Sequence, residues 1–363
     1  MRYAGIDLHK RSLTICIIDK ETGETFTTRF SCQEEARIAE FFEKQKPFQA
    51  VVEATATYDW LWVLLEPLAE RLVLAHPKKL RIIAESKKKT DRFDARNLAW
   101  MLAKDEIPEA YRPSPRQREY QHLIQHRHGL IRQSSRLKVQ IRSILAARNL
   151  DRRNIFSAQG ALCIDTLDIS EAERFRLREL FSLLELISNH LGTAKREIKK
   201  FRDAATEGQK ESHAIAKSVP GVGDVVADVV LATLGDVSRF PSIKKVTAYA
   251  GVVPGVRQSD TKRRDLRITK EGPRILRWAL VEAAWRAVQY SSYWEDIFKK
   301  IARAQGRKKA VVAVARRLLG VIYTLLKKGE RYVRRKGEVA IGRLNRTKPI
   351  PSLEQIAPAA GNA

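Results

Sequence analysis

The chain has 363 residues, with 68 Lys and Arg against 42 Asp and Glu, a formal net charge of +26. That length accommodates two or three domains with cores of their own, and a hydrophobic content of 44% excludes wholesale disorder. The basic excess selects polyanions as partners, nucleic acid before membrane; the one long apolar stretch, Ala310 to Leu326, is interrupted by Arg316 and Arg317 and makes a poor spanning helix.

Residues 1 to about 110 alternate strand and helix signals. Tyr3-Ala4-Gly5-Ile6-Asp7-Leu8 reads as a buried strand that delivers a carboxylate, Asp7, at or near its end. Leu13 to Ile18 and Glu24 to Phe30 follow as strands joined by a hairpin turn at Glu21-Thr22-Gly23-Glu24. A helix is predicted over Glu34 to Gln45, a strand over Ala50 to Glu53, and a helix over Tyr58 to Arg71 kinked at Pro67. Leu72 to Ala75 is a short strand, and a helix runs from Asp91 to about Lys104 with Thr90 as its N-cap. Hairpin strands first, then alternating helix and strand, fit an α/β RNase H-like fold with acids at strand ends.

Ile107-Pro108 and Arg112-Pro113-Ser114-Pro115 mark a linker. Beyond it, over 116–210, Leu123, Leu130, Leu137 and Ile144 recur every seven residues. Ser170-Glu171-Ala172-Glu173 announces a second helix with a capping box, carrying Leu177, Leu180, Leu184, Ile187, Leu191, Ala194, Ile198 and Phe201 at alternating spacings of three and four. This is an α-helical coiled-coil arm; its helices pair with each other or with a second subunit. A mainly α-helical module occupies 213–300, a basic helical extension 301–344 and a flexible tail 345–363. In the module, Val219-Pro220-Gly221-Val222-Gly223 resembles a helix-hairpin-helix turn, in which Gly221 and Gly223 would let backbone amides approach a DNA phosphate; a tight helix–helix turn without a ligand is the alternative.

Cys16, Cys32 and Cys163 are isolated and read as reduced residues of a cytosolic protein. The helical spacing of His122, His126 and His128 lacks a partner cluster and reads as a solvated basic face. The acids carry more. Asp7 and Glu53 each end an apolar strand, where a charge without a partner is costly, and Asp91 and Asp94 are three apart on one helical face. Together the four are candidate ligands for a pair of Mg²⁺ ions about 4 Å apart, holding the attacking and leaving oxygens of a phosphodiester in line. Asp7 would bridge the ions and Glu53, Asp91 and Asp94 flank them. Lys87, Lys88 and Lys89 just upstream would attract a nucleic-acid strand. Ser259 lies in a basic loop with Arg257, Lys262, Arg263, Arg264, Arg267 and Lys270, and by itself reads as a loop serine contacting phosphate.

Gly5-Ile6-Asp7-Leu8-His9-Lys10, Val52-Glu53-Ala54-Thr55, Thr90-Asp91-Arg92-Phe93-Asp94-Ala95 and Tyr249-Ala250-Gly251-Val252-Val253-Pro254 occur in that order. Together they resemble the bridge-RNA-guided insertion-sequence transposases, the DEDD recombinases of the IS110 family with a RuvC-like domain, from residue 1 to about 300. The resemblance implies that Asp7, Glu53, Asp91 and Asp94 are catalytic metal ligands. It also implies that Ser259 attacks the DNA backbone to form a covalent intermediate, with acids and serine drawn from different subunits of a dimer or tetramer. Double-stranded donor and target DNA and a non-coding bridge RNA are the implied partners, and a prokaryotic cytoplasm, at the nucleoid while acting, the implied location. One departure is Asp260, where the family often has Gly after the serine. Three rivals remain: a junction-resolving endonuclease using metal-activated water, a non-catalytic nucleic-acid-binding protein, and a sugar-kinase or actin-like ATPase, which the absence of a later glycine-rich phosphate loop disfavours.

Overall fold

The structure, a computed structural model, describes residues 1–55, 57–77, 79–80, 91–157, 163–259, 262–334 and 337–340. For residues 91–93, 163, 256–259 and 262–266 it describes the backbone alone. The chain forms two compact units, Met1–Pro113 and Ser114–Ala363.

The first unit is a five-stranded mixed sheet with helices. Its strands are β1 (Arg2–Leu8), β2 (Ser12–Asp19), β3 (Thr25–Ser31), β4 (Phe48–Glu53) and β5 (Arg71–Ala75), in the order β3-β2-β1-β4-β5. β1 pairs antiparallel with β2 and β2 with β3, whereas β1–β4 and β4–β5 are parallel. Leu13 through Ile18 are all buried, the pattern of a strand covered on both faces. One face packs Ala4, Ile6, Leu8, Ala50 and Val52 against α1 (Glu35–Glu43) and α2 (Asp59–Leu65). The other carries α3 (Asp91–Ala103), whose Leu98 and Leu102 meet Tyr3, Val51 and Val73.

The helix expected to continue from Tyr58 to Arg71 through a kink stops instead at Leu65. Pro67 removes an amide and ends the helix rather than bending it. The amides of Leu68 and Ala69 turn back onto the Leu65 carbonyl at 2.9 and 3.0 Å, and the chain re-enters the sheet at Arg71. Thr90, the expected cap of α3, lies outside the described residues.

The second unit begins with two long helices, α4 (Pro115–Ala146) and α5 (Glu171–Asp203), which pack on each other. Ser114 caps α4 by accepting the Gln117 amide, and Ser170 and Glu173 form the expected capping box on α5. Arg148 donates two hydrogen bonds to the same Glu173, at 3.0 and 3.2 Å, tying the end of α4 to the start of α5. Ile141, Ile144, Leu145 and Leu177 close the far end of this pair; Ile124 and Ile198 enter the main core at the other. That core is built by α6 (Glu207–Ser218), α7 (Asp224–Leu234), α8 (Ile243–Tyr249), α9 (Arg274–Tyr290), α10 (Ser292–Gln305) and α11 (Arg307–Lys328). α11 supplies Leu318, Leu319 and Ile322, so the apolar stretch Ala310–Leu326 is a core helix face. Among the described residues no helix is long and apolar enough to cross a membrane.

Within this helical unit lies a two-stranded antiparallel hairpin, β6 (Pro254–Ser259) and β7 (Lys262–Ile268). The sequence reading of a basic loop around Ser259 is corrected here: the segment is extended and paired. β7, Lys-Arg-Arg-Asp-Leu-Arg-Ile, carries too little apolar alternation to announce a strand.

Candidate active site

Alternation along β1 decides where Asp7 goes. Ala4, Ile6 and Leu8 pack toward α1 and α2, so Tyr3, Gly5 and Asp7 take the face carrying α3. In β4, Ala50 and Val52 share the first face and Val51 the second, which assigns Glu53 to the α3 side as well. The parallel register ends at Ile6 opposite Val52, so the next residues, Asp7 and Glu53, follow side by side on adjacent strands.

Gly5 sets how closely α3 approaches. A Cβ at Gly5 would overlap the Ala95 carbonyl oxygen and the Ala99 amide nitrogen, so the helix backbone lies directly on the strand. Ala95 and Ala99 meet Cys16 and Ile18, and Leu98 and Leu102 meet Tyr3, so α3 runs back along the sheet. Its first turn, containing Asp91 and Asp94, therefore begins at the strand ends where Asp7 and Glu53 emerge. Asp94 and Glu53 are partly buried, and the Asp7 side chain is 14% exposed. The Asp91 side chain lies outside the described residues.

Hard carboxylate oxygens delivered to one face fit a divalent cation of the Mg²⁺ type. Among the described residues, no three His, Cys, Asp or Glu side chains lie close enough together to hold a metal ion. Asp7, Glu53 and Asp94 thus share a face and an end of the sheet without forming a closed ligand group by themselves.

One neighbour escaped the sequence reading. His9, in the turn after β1, places Nε2 3.1 Å from Asp7 Oδ2, and its amide donates to the Ser12 carbonyl at 2.9 Å. A histidine two residues beyond an acid at a strand end is the signal that could have found it.

In the helical unit, the backbone places Ser259 at the tip of the hairpin, opposite Lys262, with Gln258 opposite Arg263 and Arg257 opposite Arg264. Asp260 and Lys87, Lys88 and Lys89 lie outside the described residues. Arg267 and Lys270 are exposed near the hairpin base. That base is closed by Gly251, whose φ is +65° and where a Cβ would lie 2.7 Å from the Gly272 nitrogen and 2.8 Å from that of Glu271. The amides of Thr269 and Lys270 then reach the Val253 and Gly251 carbonyls at 3.0 and 3.2 Å. The Tyr249-Ala250-Gly251-Val252-Val253-Pro254 motif is thus the anchor of the hairpin that carries Ser259.

The two glycines of the proposed phosphate turn differ. Gly221, at φ +85°, lies against the Ala283 carbonyl and the Ala287 nitrogen of α9, so its lack of a side chain serves helix packing. Gly223 immediately precedes α7 and has open space around it, at a cleft of about 480 Å³ also lined by Lys217, Arg286 and Arg334. Asp224, the first residue of α7, accepts from Lys217 at 2.7 Å, and this partner holds its carboxyl below the ordinary range.

Comparison with known proteins decides the class. The family model described as transposase of the IS116/IS110/IS902 family matches residues 213–299, and a DEDD transposase model for IS110 elements matches residues 4–148. Together they span more than half of the chain. The chain belongs to the IS110/IS116 family of transposases. It is 24% identical over 349 residues to a transposase for insertion sequence element IS1111A of Coxiella burnetii, covering 92% of this chain and 91% of that protein. It is 23% identical over 294 residues to the transposase for IS1328 of Yersinia enterocolitica, covering 80% and 84%. A pilin gene-inverting protein of Moraxella bovis is 21% identical over 350 residues, covering 92% and 98%. As a transposase the protein cuts and rejoins DNA, and membership of the DEDD type implies dependence on a divalent metal. The DEDD model spans Asp7, Glu53, Asp91 and Asp94, and the IS116/IS110/IS902 model spans Gly221, Gly223, Ser259 and the hairpin anchor.

Proposed function

We propose that this transposase is a Mg²⁺-dependent, serine-using DNA recombinase with an RNase H-like, RuvC-like catalytic unit. The observation that carries the reading is the backbone of α3 lying on Gly5, which brings the first turn with Asp91 and Asp94 to the strand ends carrying Asp7 and Glu53. The strand order, with two antiparallel pairings followed by two parallel ones, supports the fold assignment. In this reading Asp7, Glu53, Asp91 and Asp94 hold two ions, which when bound supply electrostatic stabilisation to phosphodiester oxygens. His9 orients the Asp7 carboxylate.

The Ser259 Oγ attacks a backbone phosphorus; an Oγ–P bond forms as one P–O bond to a sugar breaks, and the departing oxygen takes up a proton in place of the one the serine loses, leaving that strand end with a free hydroxyl. Attack by a second strand's hydroxyl reverses the exchange and rejoins DNA without external energy. The backbone register sets Arg257 opposite Arg264 and Ser259 opposite Lys262, and a hairpin of this basic composition suits a polyanion. Gly223 and the cleft beside it add a backbone phosphate contact. The α4–α5 arm, in which Leu180, Leu184, Ile187 and Leu191 stay only partly buried, serves self-association as a coiled coil in a dimer or tetramer. The basic excess is sufficient for donor and target DNA together with a bridge RNA, and such binding weakens steeply with salt. A relative named for inverting a pilin gene supports recombination between two sites.

A covalent trap tests this reading. The protein is co-expressed with its flanking genomic sequence, supplied with that DNA and Mg²⁺, denatured, and searched by mass spectrometry for a nucleotide bound to a serine peptide. The expected adduct is on Ser259 and disappears in Asp7→Ala; Ser259→Ala should abolish strand transfer while DNA binding survives. Recombination that persists in Ser259→Ala would overturn the serine, and cleavage without an adduct would favour the metal-activated-water endonuclease.

A further inference from the structure

The helical unit contains a second basic concavity, whose lining includes Asp224 and Val225 directly after Gly223. It has a volume of about 540 Å³, within the range typical of small-molecule sites, and lies where α4 and α5 meet α7 and α9. Arg127 of α4 and Lys195, Arg196, Lys199 and Arg202 of α5 line it. Its two acids are already engaged. Asp228 is buried and takes the Tyr120 hydroxyl at 2.6 Å, Arg202 Nη1 at 3.1 Å and His213 Nε2 at 2.9 Å, and Asp224 takes Lys217. Arg127, Lys195, Arg196 and Lys199 form no ion pair among the described residues.

Two further features face the same space. Arg127 is partly buried, and desolvation pulls its guanidinium below the ordinary arginine value. Asp228 already acts on this partly buried charge, and a further anion beside it would stabilise it more. His128 lines the cavity beside it; its Nδ1 is buried with no hydrogen-bond partner, and its ring packs against Trp278 at 5.1 Å. The remaining wall is apolar, with Ile124, Ile198, Val229, Ile275 and Trp278.

We propose that this cavity binds a nucleotide, its phosphate among Arg127, Lys195 and Lys199 and its base against the Trp278 wall. A bare phosphate would leave the apolar wall wet, and a nucleoside would leave the cations unpaired. The same chemistry comes from two sources: a free mononucleotide, or an unpaired nucleotide of a nucleic-acid strand. The inference does not depend on the strand-cleavage reading, since its readout is binding.

The test is calorimetric titration of the intact protein with adenosine 5′-monophosphate, adenosine, inorganic phosphate and a short single-stranded oligonucleotide. The monophosphate should bind more tightly than adenosine or phosphate. Arg127→Gln with Lys199→Gln should weaken it by about tenfold or more, as expected for charge-assisted hydrogen bonds. Lys308→Gln with Lys309→Gln, which removes as much charge from an exposed site, should leave it unchanged. Gly192→Leu supplies a steric block without touching charge. The nearest atom to an added Cβ there is Arg196 Nη1 at 3.8 Å, so the helix should tolerate the change and retain its melting temperature while binding is lost. Competition by the oligonucleotide, lost in the same variants, would assign the source to a strand; binding of the monophosphate without competition would assign it to the free nucleotide. Absence of saturable monophosphate binding, or binding unaffected by both the charge and the steric variants, would overturn the proposal.

Discussion

The α/β unit and the helical unit place their key carboxylates in different surroundings. Asp7, Glu53 and Asp94 reach the ends of β1, β4 and the first turn of α3 only partly buried, with the His9 imidazole 3.1 Å from Asp7. Asp228 sits at 4% exposure in the middle of α7, with Tyr120, Arg202 and His213 all directed at it. Desolvation and the adjacent Asp228 charge push the Tyr120 phenol well above its ordinary value, so it remains a hydrogen-bond donor throughout the working range. A carboxylate surrounded by three donors has its hydrogen-bonding capacity directed inward and holds helices together. The carboxylates at the strand ends are only partly buried and keep some exposure to solvent. Burial and partners, rather than residue type, separate the two sets of acids.

The largest effect should come from breaking the comparison on the functional side. Asp7→Asn is expected to lower strand cleavage by more than about 100-fold, beyond the loss typical for residues that only support a metal ligand. Its thermal unfolding should be nearly unchanged; a large fall in melting temperature with retained cleavage would reverse the assignment. Asp228→Asn should do the opposite. Removing one partner of a buried ionic network typically costs about 3–5 kcal/mol, reduced here because Arg202 retains partial solvent access. Denaturant unfolding should therefore register a loss of about 2–3 kcal/mol.

Glycines sharpen the same contrast at smaller cost. Gly5→Ala must push α3 off β1, and overpacking of this kind costs about 1–3 kcal/mol. Cleavage should fall further than stability alone explains, because the displaced turn carries Asp91 and Asp94. Gly251→Ala should instead disturb the base of the hairpin, leaving metal-dependent protection of the first unit in hydrogen exchange intact.

The smallest predicted effect concerns the arm. Arg148 and the Ser170 cap hold the Glu173 carboxyl at about 2, against an ordinary 4.5. A depressed folded-state value means that the contribution is fully present above pH 4.5 and fades as pH falls through about 2. Glu173→Gln should flatten the acid limb of unfolding between those values while leaving stability at neutral pH only slightly lowered. An unchanged acid limb in the variant would show that the pairing contributes nothing to the arm.

Much of this architecture was legible in the residues themselves. The apolar runs ending in Asp7 and Glu53, the three-residue spacing of Asp91 and Asp94, the proline-marked boundary at Arg112-Pro113-Ser114-Pro115 and the Ser170–Glu173 capping box are local signals, each encoded within a few neighbouring positions. The β6–β7 hairpin was not legible, because its second strand is charged and lacks the apolar alternation that a half-buried strand carries. Nor was the end of α2 at Leu65, where Pro67 terminates a helix that Leu68 and Ala69 would otherwise extend.

By itself, then, the sequence determined the alternation of strands and helices in the first unit, the long apolar seams of the second and the positions of the acids along the chain. Only tertiary structure decided that Gly5 lies under Ala95 and Ala99, that Asp7 and Glu53 emerge side by side on the face of α3, and that His213, 15 positions before Asp228, reaches it together with Tyr120 and Arg202. The reason is physical. Periodicity is a property of neighbouring residues and survives in any window of the chain. Close approach between elements depends on strand register, sheet face and the absence of one Cβ, and these acquire meaning only once the elements have packed.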